Sequence, residues 1–179
     1  MLYSNRLFRN PSLELKEVPT FYIDGQSIGN ETVGRPRKAR ITIVYRSSAS
    51  APESSSIRVI SEDIGDKTNN EAEYHALLQL LSLMSNHLAG TDGRIPQEFG
   101  KVKICSDSQL LVNQVNGEWR VKEEILKGLR EDAKRLIDRL GFIVLEWVPR
   151  EQNYAGLWLE GKLKGTRVGT EQFLSGVKD

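Results

Sequence analysis

The sequence has 179 residues, with 25 basic and 24 acidic side chains, a formal net charge of +1, and 39% hydrophobic and 27% charged residues. Those figures suit one folded domain with a sizeable core. They exclude a chain built from membrane spans: the longest apolar stretch, around Ala76–Leu83, is interrupted by Gln79 and Ser82. A net charge near zero decides nothing about nucleic acid, because a local basic surface can hide in it.

Cys105 is the only cysteine, which excludes an intrachain disulfide and a cysteine-based zinc cluster. The first twenty residues carry no apolar run of the secretory kind, so the expectation is a cytoplasmic protein with no membrane partner, working as a monomer.

In chain order, residues 1–18 have no clear period and are expected to form an N-terminal extension. Phe21–Asp24 opens a first strand on aromatic and β-branched residues, and Gly25, Gly29 and Gly34 mark turns after it. Arg40–Arg46 is a second strand, the Ser/Ala/Pro-rich segment 47–56 a loop, and Ile57–Ile60 the start of a third strand. Thr68–His87 is the strongest helix: Leu77, Leu78, Leu81 and Leu88 keep helical spacing, and Thr68 with Glu71 three residues on has the form of a capping box. Lys101–Cys105 is a fourth strand, Asp107–Val115 a short helix, and Val121–Leu140 a charged amphipathic helix stopped by Gly141. Phe142–Val148 is a fifth strand, and Tyr154–Leu163 a last helix. The order β-β-β-α-β-α-α-β-α predicts an α/β fold, a five-stranded mixed sheet flanked by helices, over residues 19–165, with 166–179 as a C-terminal tail.

Three acids occupy positions where elements begin or end: Asp24 before Gly25, Glu73 one turn into the long helix, and Asp107 between the fourth strand and the next helix. Each has an ordinary reading. An Asp before Gly serves a turn, a Glu in a first helical turn serves the dipole, and an Asp at a strand–helix junction serves as N-cap. Taken together, acids at strand ends and a helix start can meet at one sheet edge, where they repel unless a cation neutralises them. Oxygen-only ligands suit Mg2+ or Mn2+, and two ions about 4 Å apart suit in-line attack on a phosphodiester.

The segments Tyr22-Ile23-Asp24-Gly25 with Gly29-Asn30, Thr68-Asn69-Asn70-Glu71-Ala72-Glu73, Ser106-Asp107-Ser108-Gln109 and Val148-Pro149-Arg150-Glu151-Gln152-Asn153 follow one another in order. Together they resemble the successive motifs of type 1 ribonuclease H, from about Phe21 to Leu163. The resemblance implies a ribonuclease H-like fold and a divalent-metal-dependent endonuclease that cuts the RNA strand of RNA–DNA hybrids with two ions. It makes Asp24, Glu73 and Asp107 metal ligands, Asp24 being the shared one, and places Asn30, Asn70 and Gln109 against the minor groove of the hybrid. Amide side chains both donate and accept, so they can meet 2′-hydroxyls and base edges without demanding a sequence.

The family's fourth carboxylate appears as Asn-x-x-Ala-Asp, and here the text runs Asn153-Tyr154-Ala155-Gly156-Leu157, with Leu157 at the position of the acid. Glu160, three residues on, is the expected substitute as catalytic and metal-binding residue, reaching back along one helical face. Arg35, Arg37, Lys38 and Arg40 form a basic cluster, His75 and His87 fit surface or packing roles, and Trp119 fits a core anchor, with stacking near the DNA strand as the alternative. The alternative function is a catalytically impaired module that binds hybrid or duplex nucleic acid without efficient cleavage; a third is a nuclease with a shifted substrate such as double-stranded RNA.

Overall fold

The computed structural model describes residues 18–29, 38–46, 57–89 and 101–174. Strands β1 (Thr20–Ile28), β2 (Lys38–Arg46) and β3 (Ile57–Gly65) form an antiparallel meander. Helix α1 (Asn69–Ala89) leads to β4 (Val102–Ser106), which pairs parallel to β1. Helices α2 (Gln109–Asn116) and α3 (Glu124–Leu140) precede β5 (Ile143–Trp147), parallel to β4. A 3-10 turn (Arg150–Gln152) and helix α4 (Tyr154–Leu159) follow. With a short β6 (Thr166–Arg167) at the far edge, the sheet order is β5-β4-β1-β2-β3-β6, so β1 and β2 are its central pair. The mixed α/β architecture expected from the sequence is the one observed.

The sheet has a sixth strand that the sequence pattern did not suggest. β6 (Thr166–Arg167) pairs parallel to β3, and α5 (Thr170–Phe173) follows it, burying Phe173 against Phe21 at 6.0 Å between ring centroids. A two-residue strand with both residues exposed carries no period to read. β1 and β3 also run further than their apolar starts suggested, β3 continuing through the polar Ser61-Glu62-Asp63. α4 is shorter than expected, giving way before Gly161, whose φ of 70° is left-handed.

Alternation along the strands divides the interior into two layers. Phe21, Ile23, Ile41, Ile43, Tyr45 and Ile60 face α1 and α3, where Tyr74, Leu77, Leu80 and Leu81 complete the main core. Tyr22, Val44 and Val59 face the other way and pack with Ala155, Tyr154 and Trp158 of α4. Tyr22 stacks on Tyr154 at 4.6 Å. Asp24 lies two residues beyond Tyr22 on that same face, so the strand period alone directs it towards α4. The charged face of α3 is a solvated one: its ion pairs Lys127–Glu124 and Arg135–Asp132 are exposed and internal to the helix. Trp119, expected in the core, is 48% exposed.

Candidate metal centre

Each of the three acids is released from its ordinary structural duty by a neighbour. At α1, Thr68 Oγ1 accepts from the Glu71 N–H at 3.2 Å and the Thr68 N–H donates to Glu71 Oε2 at 2.8 Å. The capping box is therefore complete without Glu73. At α2, Ser108 is the N-cap and accepts from the Leu111 N–H at 3.2 Å, leaving Asp107 free of that role. At β1, the strand runs through Asp24 and Gly25 to Ile28, with Asp24 opposite Thr42, so Asp24 is no turn residue.

The backbone of β1 passes so close to α1 that a Cβ on Gly25 would lie 2.2 Å from the carbonyl carbon of Ala72 and from the nitrogen of Glu73. Glycine is required at this crossing for its lack of a side chain. The close approach carries Asp24 and Glu73 to the same edge, and the parallel β4 brings Asp107 beside them. One carboxylate oxygen from each of Asp24, Glu73 and Asp107 lies within 4.8 Å of the others. Asp24 is only 2% exposed. Oε2 of Glu73 is shut off from solvent and takes no donor from the protein outside the carboxyl pair that Glu73 forms with Asp24.

The electrostatics follow from that crowding. Burial pushes the Glu73 carboxyl well above the ordinary carboxylate range, and the neighbouring charges of Asp24 and Asp107 add to the effect. Asp24 is raised too, by burial first, with Arg150 pulling it down and Asp107 pushing it up. A buried oxygen without an outside donor, among three acids that repel, fits a hard divalent cation bound through oxygens alone. The residues present therefore suit Mg2+ or Mn2+.

Two further side chains belong to the site, and the sequence offered no role for either beyond their place in the Val148–Asn153 segment. Arg150 donates from Nη1 to Asp24 Oδ2 at 2.7 Å and to Asp107 Oδ2 at 2.9 Å, and from Nε to Glu160 Oε1 at 3.0 Å. Burial works against its charge, but Asp107, Asp24 and Glu160 outweigh that and hold its pKa above the ordinary arginine value. Asn153 is fully buried. Its Nδ2 donates to Ile23 O at 2.9 Å and to Asp107 Oδ1, while its Oδ1 accepts from the Ala155 N–H at 3.1 Å. It thus caps α4 and fixes Asp107 in one contact set.

Glu160 is where the structure departs from the expectation of a substitute ligand. It caps the C-terminus of α4 and is exposed, paired with Lys162 at 2.8 Å as well as with Arg150. Lys162 and then Arg150 hold its carboxyl below the ordinary value. Its oxygens are not among those that converge with Asp24, Glu73 and Asp107. The physical reason is that Arg150 stands between Glu160 and the cluster.

Asn70 is half-buried in the first turn of α1, and Gln109, the first residue of α2, is exposed; both sit on the helix starts that carry Glu73 and Asp107. Asn30, Arg35 and Arg37 lie outside the described residues. Arg40 pairs with Asp63 at 2.7 Å across β2 and β3. His75 and His87 take no part in the site. Cys105 is buried, and burial pushes its thiol up to about 11.

The family described as reverse transcriptase-like matches residues 36–159. The chain belongs to that family, within the ribonuclease H-like superfamily. A curated relative, the bifunctional protein Rv2228c of Mycobacterium tuberculosis, is 36% identical over 90 residues, covering 50% of this chain and 22% of the relative. Ribonuclease HI of Halobacterium salinarum is 28% identical over 132 residues, covering 74% of this chain and 57% of the relative. This chain thus spans about a fifth of the first relative and little more than half of the second. Among solved structures, the N-terminal RNase H domain of the mycobacterial protein superposes with a TM-score of 0.58 at 29% identity, over 80% of this chain and 91% of that one. LC11-RNase H1, solved with an RNA/DNA hybrid, gives 0.57 at 28% identity, over 76% and 88%. The ribonuclease H-like fold and type 1 membership anticipated from the motifs are thereby established. Among the described residues, no helix is long and apolar enough to cross a membrane.

Proposed function

We propose that this ribonuclease H-like protein is an endonuclease that hydrolyses the RNA strand of RNA–DNA hybrids with divalent metal ions, Mg2+ or Mn2+. The observation that carries the reading is the convergence of Asp24, Glu73 and Asp107 around the buried Oε2 of Glu73. A pure binding surface gains nothing from three acids facing phosphate. Bound ions would activate water and stabilise the leaving oxygen. The chain's own residues do the rest. Asp24, leaving the centre of the sheet, is the shared ligand; Glu73 and Asp107 complete the set; Asn153 keeps Asp107 in place. Asn70 and Gln109, with Asn30, are assigned to the minor groove of the hybrid, where their amides meet 2′-hydroxyls. The hybrid bound by LC11-RNase H1 supports this substrate class.

A second reading has its own observation: Leu157 stands where the family carries an acid, and Arg150 lies on Asp24 and Asp107. Both weaken the case for a full ion set and suit a module that binds hybrid with little cleavage. Cleavage of a labelled hybrid in Mg2+ and in Mn2+ separates the two. We expect cleavage by the parent and a loss of about a thousandfold in Asp107→Asn, the scale of several kcal/mol for a ligand removed from the reacting centre. Undiminished cleavage by that variant would place the chemistry elsewhere, and an inactive parent that still binds hybrid would leave the binding module.

A further inference from the structure

The guanidinium of Arg150 occupies a seat that two residues open. Gly156 and Leu157 replace the Ala-Asp of the family pattern, and neither is neutral. A Cβ on Gly156 would lie 2.7 Å from Nη1 and 2.8 Å from Cζ of Arg150, closer than such atoms approach. Gly156 is buried, so the guanidinium rests on bare helix backbone. Leu157 brings no charge to the same turn. Thus the position from which an acid would hold an ion is served instead by a fixed cation, and Glu160 anchors its Nε from outside.

We propose that Arg150 is a built-in counter-ion of the carboxylate cluster, competing with divalent metal for Asp24 and Asp107 and limiting the substrate-free protein to one tightly held ion. The inference rests on the metal-dependent reading of the site. Nη1 bridges one oxygen of Asp24 and one of Asp107, the pair that an ion shared between these two acids would have to engage. Glu73 is left out of this arrangement: the hydrogen bonds of Arg150 go to Asp24, Asp107 and Glu160, and the Glu73 carboxyl packs against Asp24 instead. Arg150 therefore offsets part of the cluster's charge and leaves the Glu73 side open to one ion. A second ion needs Arg150 to swing out, and a phosphate entering the site is the natural acceptor for the displaced guanidinium. Arg150 is in this sense a positioning residue whose effect is read in metal binding.

The test is calorimetric titration of the substrate-free protein with Mn2+, together with thermal melting in chelator. Arg150→Met keeps the side-chain stem and removes the charge. It should bind Mn2+ about tenfold more tightly than the parent or take up a second ion, and it should melt lower than the parent in chelator because the acids lose their counter-ion. Gly156→Ala leaves Arg150 intact but fills its seat, and should shift Mn2+ binding in the same direction by a smaller factor. It carries the test if Arg150→Met fails to fold. Parent-like affinity and ion number in both variants would overturn the counter-ion role while leaving the nuclease reading intact. If neither parent nor variant binds Mn2+, both readings fall. If Mn2+ binding tightens but no variant cuts hybrid, the counter-ion role stands and the nuclease reading fails.

Discussion

The two sides of the site are built on opposite principles. On the side formed by β1, α1 and α2, acids are placed by rigid elements and freed from capping by Glu71 and Ser108. On the side formed by the 3-10 turn and α4, the acid is gone, and a long cationic side chain reaches across from Arg150 to the remaining carboxylates. The first side is held by backbone geometry and tolerates little change. The second is held by side-chain ion pairs at a partly exposed position, where attraction is screened and each contact is worth less. A site of this form keeps its carboxylates in place regardless of what α4 supplies.

The largest effect is expected from a change on the rigid side. Gly25→Ala places a methyl group 2.2 Å from the α1 backbone, which cannot yield as a flexible side chain would. We expect a loss of roughly 2–3 kcal/mol in stability, the upper range for overpacking, measured as a shift in the denaturant midpoint. The same displacement separates Asp24 from Glu73, so Mn2+ affinity should fall with it. A stable Gly25→Ala variant with parent affinity would show that the β1–α1 contact does not set the cluster.

The charge itself is the second target. In the metal-free protein the Glu73 carboxyl holds its proton well above the ordinary value of 4.5, because burial and two neighbouring acids oppose ionisation. The folded state therefore binds that proton more tightly than the unfolded chain does. Its contribution to stability is fully present below about pH 4.5 and is lost as pH rises through the raised folded value. Asp24 shifts in the same direction. In chelator, Glu73→Gln should be more stable than the parent at neutral pH, because it removes the unfavourable buried charge. Its melting temperature should also change less between about pH 5 and pH 8. Saturating Mn2+ should reverse the order, since the parent then gains the ion. A parent that is the more stable of the two in chelator would mean that Glu73 is already compensated.

The legibility of the molecule follows the same division. Glu73 and Asp107 were readable because each stands at a fixed offset from an element boundary, whereas Asp24, expected at a strand end, lies within β1 and was carried by its motif. The Thr68–Glu71 box and the stop at Gly141 were readable for the same local reason. Arg150 was not, although it sits in the Val148–Asn153 segment that resembles the family. What makes it part of the site is the missing Cβ of Gly156 and the reach of its own side chain, and both are tertiary facts. Asn153 has a similar history: its cap on α4 and its contact to Asp107 appear only in the structure, the second joining two elements far apart in sequence. β6 escaped because two exposed residues have no period, and Trp119 was misplaced because an aromatic residue after a helix stop reads the same whether it packs or points outward.

The smallest expected effect is also the most discriminating, because it predicts a sign. Glu160 is exposed, and its carboxylate is shared between Lys162 and Arg150. If it reached the ion as a fourth ligand, Glu160→Gln would raise the metal concentration needed for binding. If it anchors Arg150, the same variant loosens the competitor, and metal should bind as well as in the parent or slightly better. Exposed pairs of this kind contribute little, so a gain of no more than about threefold in Mn2+ affinity is expected. The shift should vanish when Arg150→Met is already present, since there is then nothing left to anchor. Weakened Mn2+ binding in Glu160→Gln, persisting in the double variant, would return Glu160 to the ligand set and reduce Arg150 to a bystander.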